Sequence, residues 1–385
     1  MVTFGIICEF NPLHNGHKRL IDEARRLGAE CIVCIMSGNA VQRGELAITD
    51  KYNRAKAAIL VGTDLVLELP FPWSAASAEY FAGAGVDILS EFCDHIIFGS
   101  ECGDIELLEK AAEAASGKEF KERLKNRLSS GEGAAVAYFS ELEAIAGIKL
   151  NSNDLLGVEY MKAAKQKGYP IEFHTIKREG SAYNDAELCA DQNPSATALR
   201  RAWSEGVCAF EYIPKEAAEV FEECIKKGDI TDAENISRAV LMYLRLLDPQ
   251  ILSETAESDG GIANRIISCA RSAKSSEEMF GLLRTKRYTD AKLRRAMMFL
   301  LTNVKAELLK QTPEYTVLLG ANDIGRGLLS SVRKNSGIKV VTKSADAPKD
   351  SEQYKAGERL EAIFTLACKE TRDVGDNYRK SAFIK

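Results

Sequence analysis

Two histidines, His14 and His17, stand three positions apart in the stretch FNPLHNGH, directly after the apolar run FGIIC, and the whole chain holds only four histidines. At the start of a helix, positions i and i+3 lie on one side of the first turn. A strand-to-helix turn built from Asn11, Pro12 and Gly16 exposes backbone N–H groups, and the helix adds about half a positive charge at its N-terminus. That combination is a seat for an anion. Imidazoles beside it can donate to phosphate oxygens while charge builds in a transition state, so His14 and His17 are the candidate catalytic pair. The spacing alone is no metal signature, because no third ligand is fixed nearby.

Such a turn works only if a strand and a helix hold it. The runs TFGIIC, CIVCIM, DLVLELP, HIIFGS and IEFHTI read as short strands, and HKRLIDEARRL, KYNRAKAAILV, SAEYFAGAGVDILSEF and LLGVEYMKAAKQKG as helices between them. Strands alternating with helices of about 10–15 residues predict right-handed βαβ units and a parallel sheet. The fold class expected is therefore α/β, with a Rossmann-like domain over residues 1–204. In such sheets ligands bind beyond the carboxyl ends of the strands, which is where FNPLHNGH falls. From 205 to 385 the pattern is mainly helical, with AAEVFEECIKKG, AENISRAVLMYLRLL and AKLRRAMMFLLTNVKAELLK as amphipathic stretches. A late β-rich piece, YTVLLG and GIKVVTK, is expected to pack against those helices.

Composition narrows the function. Over 385 residues, 45% are apolar and 28% charged, a globular balance for two domains. A net charge of -5 argues against indiscriminate adhesion to nucleic acid or anionic membrane, so a polyanionic partner needs a local basic patch. The apolar stretch Ala57–Ala76 carries Asp64, Glu68, Pro70 and Pro72, which excludes a membrane span there. Ten cysteines include one CxxC, Cys31 and Cys34, inside an apolar strand, and no second pair to complete a zinc site. Structural thiols in a cytoplasmic protein are the expectation. No basic segment precedes the first strand, so no signal peptide is expected.

HNGH resembles the HIGH signature of the nucleotidyltransferase superfamily, whose members attack the α-phosphate of ATP and expel pyrophosphate. That superfamily's second signature, ISSTxxR at a helix start, is matched in NPSATALR by Ser195, Thr197 and Arg200, while Pro194 and Ala196 depart from it. Hydroxyls and a guanidinium there suit the β- and γ-phosphates. Further motifs, GIICEFNPLHNGH, MSGNAVQRGE, DLVLELPFPWS, FGSECGD, NDLLGVEYMKA, TKRYTDAKLRR and LGANDIGRGLL, resemble the bacterial tRNA(Met) cytidine acetate ligases over nearly the full chain. The resemblance implies adenylation of acetate by ATP, then acetylation of N4 of the wobble cytidine in elongator tRNA(Met). It also implies an ATP site. The positions it assigns to wrapping the nucleotide are Ile7, Cys8, Glu9, Phe10, Asn11, Pro12, Leu13, His14, Asn15, Gly16, His17, Lys18, Arg19 and Leu20. Gly99, Asn153 and Arg178 complete the site, and Lys177 stands beside Arg178 to neutralise departing pyrophosphate. Mg2+ is expected with ATP, although no carboxylate cage is visible.

The basic patch required for RNA is RTKRYTDAKLRR, where Arg284, Lys286, Arg287, Lys292, Arg294 and Arg295 face only Asp290, and Tyr288 offers a stacking surface. The aromatic segments LPFPWSAASAEYF and AFEYIP read as core and interdomain packing instead. Two other functions fit less of the chain. A small-molecule adenylyltransferase leaves about 180 residues and a basic helix unexplained. A non-catalytic ATP-dependent RNA-binding protein has no need of the two intact signatures.

Overall fold

The computed structural model describes residues 1–385 apart from 131, 148, 179–193, 208, 249–250, 252–253, 259–260, 286 and 334–335. Its centre is a sheet ordered β10-β8-β5-β2-β1-β6-β7, with β9 on the far side of β8. β1 (Thr3–Cys8), β2 (Cys31–Ser37), β5 (Leu65–Leu69), β6 (His95–Ser100) and β7 (Glu172–Lys177) are the five runs expected from sequence. All five are parallel. The chain steps from β1 outward through β2 to β5, then crosses back to place β6 and β7 on the other side of β1. The strand order reverses between β1 and β6, which opens a crevice at their carboxyl ends.

Alternation along the strands divides the core. Phe4, Ile6, Ile32, Cys34 and Met36 pack on one face, and Cys31, Val33 and Ile35 on the other. Cys31 and Cys34, an odd spacing apart on one strand, therefore belong to opposite faces and cannot meet. Both thiols are free and buried, and burial pushes Cys31 up to about 12.

Two short strands were not apparent in the sequence. β3 (Ala40–Val41) and β4 (Glu45–Leu46) form an antiparallel hairpin whose turn brings Gln42 to the crevice. Gly44 turns it at φ +73, and a Cβ there would lie 2.4 Å from the Arg295 backbone nitrogen.

The late β-rich piece does not pack on the helices as expected. β8 (Tyr315–Ala321) joins the main sheet antiparallel to β5, with β9 (Lys339–Val341) and β10 (Phe383–Ile384) alongside it in parallel. Buried on all but one of its residues, β8 finds more apolar cover beside β5 than a helix surface supplies. Residues after 204 thus contribute both to this sheet and to a helical cluster built on Val240, Leu244, Ile266, Leu293 and Leu300. The expected helix AKLRRAMMFLLTNVKAELLK is two helices, Asp290–Thr302 and Ala306–Leu309. Asn303, left-handed at φ 50, ends the first as its C-cap. The aromatic segment after β5 does pack between regions: Phe71 lies 6.0 Å from Phe299, and Trp73 Nε1 donates to the Gln311 carbonyl at 3.0 Å. No helix among the described residues is long and apolar enough to cross a membrane.

Candidate active site

The crevice between β1 and β6 is a cavity of about 130 Å³. Its wall begins with Ile7, Cys8, Glu9, Phe10 and Asn11 as the chain leaves β1, and continues with His14, His17 and Leu20 from the following helix, Asn15–Arg26. Gly99 ends β6, Asn153 opens the helix Ser152–Lys167, and Arg178 follows β7.

His14 is the N-cap of its helix, and the turn fixes both rings. Gly16 N–H donates to His14 Nδ1 at 3.1 Å, and His14 N–H donates to His17 Nδ1 at 3.2 Å. A backbone N–H can only donate, so each Nδ1 must accept. In the neutral imidazole the proton then sits on Nε2. The capping box thus turns both histidines into Nε2–H donors without any other partner being needed. The rings lie 3.9 Å apart, and the Phe10 edge meets His17 at 5.1 Å.

Neutrality is enforced as well. Burial, followed by the nearby Arg178 guanidinium, pulls His14 down to about 3. Burial, His14 and Arg178 likewise hold His17 well below its usual range. At physiological pH the cleft therefore presents two neutral N–H donors and one cation. An incoming phosphate oxygen would meet donors whose protons are already oriented.

The other expected site residues fall into place unevenly. Gly99 lets β6 pass Arg178, since a Cβ there would lie 3.2 Å from Arg178 Cγ. Arg178 N–H donates to the Ser100 carbonyl at 2.8 Å, which continues the β7 pairing and aims the residue at the cleft. Asn153 lines the cleft, yet its side-chain N–H donates to Glu101 Oε1 at 2.6 Å. Glu101 also takes the N–H groups of Asn153 and Asp154, both at 3.1 Å.

The second signature sits one step back from the cavity. Ser195 Oγ accepts from Ala198 N–H at 3.1 Å as the N-cap of the helix Ala196–Ser204. Arg200 donates to the Asn11 carbonyl at 2.8 Å and to Thr197 Oγ1 at 3.4 Å. Ala196, which departs from the signature, is the residue of this segment that lines the cavity. Arg200 therefore braces the HNGH turn from behind.

Several assigned residues point elsewhere. Leu13 is fully buried in the core and Pro12 is buried beside it. Asn15 reaches the Glu211 carbonyl, Lys18 pairs with Asp22 on the surface, and Arg19 is exposed. Gly16 serves through its N–H, while Lys177 is exposed beside the cleft rather than in its wall. Conversely, Ile6, Gln42, Phe81, Phe98, Leu156 and Tyr160 line it and were not singled out. Their apolar majority suits a flat adenine-sized ring, and only Gln42, within MSGNAVQRGE, offered a polar signal in the sequence. Gln42 N–H donates to Glu9 Oε1 at 3.0 Å. Burial raises Glu9 despite that bond.

The basic run splits between surface and core. Arg284 and Arg287 are exposed, with Arg284 paired to Asp290 at 2.9 Å and Arg287 over the Tyr288 ring at 5.4 Å. Lys292 is half-buried, and Lys286 lies outside the described residues. Arg294 stacks on Phe280 at 4.9 Å and pairs with Glu45 Oε1 at 2.8 Å. The other oxygen of Glu45 faces Arg200 at 3.3 Å, so the β3–β4 hairpin links the basic helix to the HNGH turn. Arg295 is not at the surface: it is buried and holds Glu257 at 2.8 Å. Adjacent helix positions lie about 100° apart, so 294 and 295 cannot share a face.

Residues 1–377 match the HIGH Nucleotidyl Transferase family. Among curated proteins, the tRNA(Met) cytidine acetate ligase of Clostridium perfringens is 35% identical over 372 residues, covering 90% of each chain. That of Caldanaerobacter subterraneus subsp. tengcongensis is 35% identical over 391 residues, covering 96% of each. Two solved structures share the fold: Thermotoga maritima TmcAL without ligand, at TM-score 0.91 and 29% identity, and the same protein bound with alpha-thio ATP, at 0.89 and 28%. Each covers 100% of this chain and 99% of the other.

Proposed function

We infer the function from membership: the chain belongs to the HIGH nucleotidyl transferase family and, within it, to the tRNA(Met) cytidine acetate ligases. It is an ATP-dependent ligase that acetylates N4 of the wobble cytidine of elongator tRNA(Met), giving N4-acetylcytidine. A carboxylate is inert to an amine until one of its oxygens becomes part of a good leaving group. An acetate oxygen attacks the α-phosphorus of ATP and pyrophosphate departs, which leaves a mixed acetyl–AMP anhydride. The cytidine amine then attacks the acetyl carbon and AMP departs with the carboxylate oxygen. No covalent enzyme residue is required, so positioning and electrostatics carry the first step.

The observation that supports this site most strongly is the pair of locked Nε2–H donors in a buried crevice at the strand-order reversal. His14 and His17 are proposed to hold phosphate oxygens as pyrophosphate forms. Arg178 and Lys177 neutralise it, Gly99 admits the nucleotide, and Asn153 Oδ1 reads the adenosine. Arg200, steadied by Thr197, braces the turn on which the histidines stand, and Ser195 caps the helix that carries Thr197 and Arg200.

Mg2+ accompanies ATP in solution, but the cleft supplies no cage for it. Glu9 is the one carboxylate among its described lining residues, and burial favours the protonated form. Glu101 is occupied by the helix start and Glu45 by two arginines. A hydrated Mg2+ needs several oxygen ligands in octahedral array, so no step is routed through it here.

For the tRNA we propose the region after residue 204, with Arg284, Arg287, Lys292 and Arg294 as its phosphate contacts, in a cytoplasmic protein. Lys286 belongs to that proposal on sequence alone. The experiment is incubation with ATP, labelled acetate and unmodified tRNA(Met), followed by nucleoside analysis. Labelled N4-acetylcytidine supports the reading, and a labelled acetyl-adenylate with no transfer to RNA overturns the second half of it.

A further inference from the structure

The chain's other two histidines, His95 and His174, lie on β6 and β7, far from the HNGH turn. The parallel register sets His95 against Glu172 and Ile97 against His174. Register partners, and residues two apart on a strand, project on one face. Backbone pairing therefore brings His95, Glu172 and His174 together before any side chain is placed. Their donor atoms converge. His95 Nδ1 lies 3.1 Å from His174 Nε2, and Glu172 sets its carboxylate oxygens 3.6 Å from the first and 3.5 Å from the second. The same nitrogen of each ring faces both the other ring and the carboxylate. Buried Phe4 holds the pair in place, stacked on His95 at 4.6 Å and lying 5.1 Å from His174.

Donors about 2.0–2.2 Å from one tetrahedral ion stand about 3.3 Å apart, and the three separations bracket that value. Two imidazole nitrogens and one carboxylate select a borderline divalent transition metal over Mg2+ or Ca2+. We propose that His95, Glu172 and His174 bind zinc, with water completing the coordination. The half-buried rings and exposed Glu172 leave a path for the ion to enter. β6 carries Gly99 near its other end and β7 leads into Arg178, each four residues on, or about 13 Å at ~3.3 Å per residue. The ion staples the two strands that present those groups to the cleft and takes no part in the chemistry.

Metal-free full-length protein is titrated with zinc chloride against a chelating dye while the melting temperature is followed. The expected result is one ion per chain and a rise of about 3 °C at a hundredfold excess over Kd. His174→Ala and Glu172→Gln each weaken binding about tenfold or more, whereas the His14→Ala/His17→Ala double variant binds as the wild type does. Glu172 is solvent-exposed, so its variant reports even where His174→Ala fails to fold. Binding that survives both single variants, binding lost in the double variant, or no stoichiometric binding overturns the proposal.

Discussion

Replacing His14 by asparagine separates its two jobs. The imidazole accepts Gly16 N–H through Nδ1 at 3.1 Å and offers Nε2–H to the cleft. Asparagine is among the best N-caps, and its Oδ1 can take the same backbone N–H. The helix start is therefore preserved. What disappears is the Nε2 donor and the ring that packs 3.9 Å from His17. The loss of packing should cost no more than about 1–2 kcal/mol of stability. The loss of a preorganised donor to developing phosphate charge costs about 3 kcal/mol in the transition state, or roughly a hundredfold in rate. Acetate-dependent ATP–pyrophosphate exchange measures that step without tRNA, and the melting temperature checks the fold. A His14→Asn variant that melts close to wild type and exchanges within about threefold of it would refute the argument.

Four further outcomes follow from the packing and charges described. Because His14 is held down to about 3, it is neutral in both folded and unfolded chains above its ordinary value and contributes nothing to pH dependence there. Below about 6.5 the unfolded chain takes a proton that the buried ring refuses, so stability falls as pH falls, by about 2 kcal/mol between pH 7 and 5. Urea midpoints should show at least that slope, and His14→Asn should remove His14's share of it while His17, also held low by burial, keeps its own. Arg295→Ala strands the buried Glu257 carboxylate and should cost about 3 kcal/mol while leaving the salt dependence of tRNA binding unchanged. Arg287→Ala should do the reverse, lowering the salt slope by about 0.7–0.9 with little change in melting temperature. Gly157→Ala would put a Cβ 2.3 Å from Phe98 Cε2 in the cleft wall, and should cost about 1–3 kcal/mol with a raised KM for ATP.

Four of the five parallel strands were legible as apolar runs bounded by turn residues, the edge strand EFHTIK by its alternation of polar and apolar residues, and the HNGH turn by two histidines and a glycine at a strand end. Long-range pairing left weaker marks. Nothing local in YTVLLG says that it will run antiparallel beside DLVLEL some 250 positions earlier. The β3–β4 hairpin is only two residues on each side, too short for a period-2 pattern to register. Charge was read correctly as charge in RTKRYTDAKLRR, but a run of cations does not say which of them a helix turns inward. Arg295 shows the consequence. Likewise the residue types of Ser195, Thr197 and Arg200 say nothing of the bonds they make within the fold: Ser195 caps its own helix, Thr197 meets Arg200, and Arg200 reaches the Asn11 carbonyl.

A crystal of the protein grown with a non-hydrolysable ATP analogue tests the central claim most directly. The adenine ring is expected among Phe81, Phe98 and Tyr160, with the phosphates within hydrogen-bond distance of His14 Nε2 and His17 Nε2. Nucleotide bound elsewhere with that crevice vacant, or phosphates turned away from both imidazoles, would contradict it.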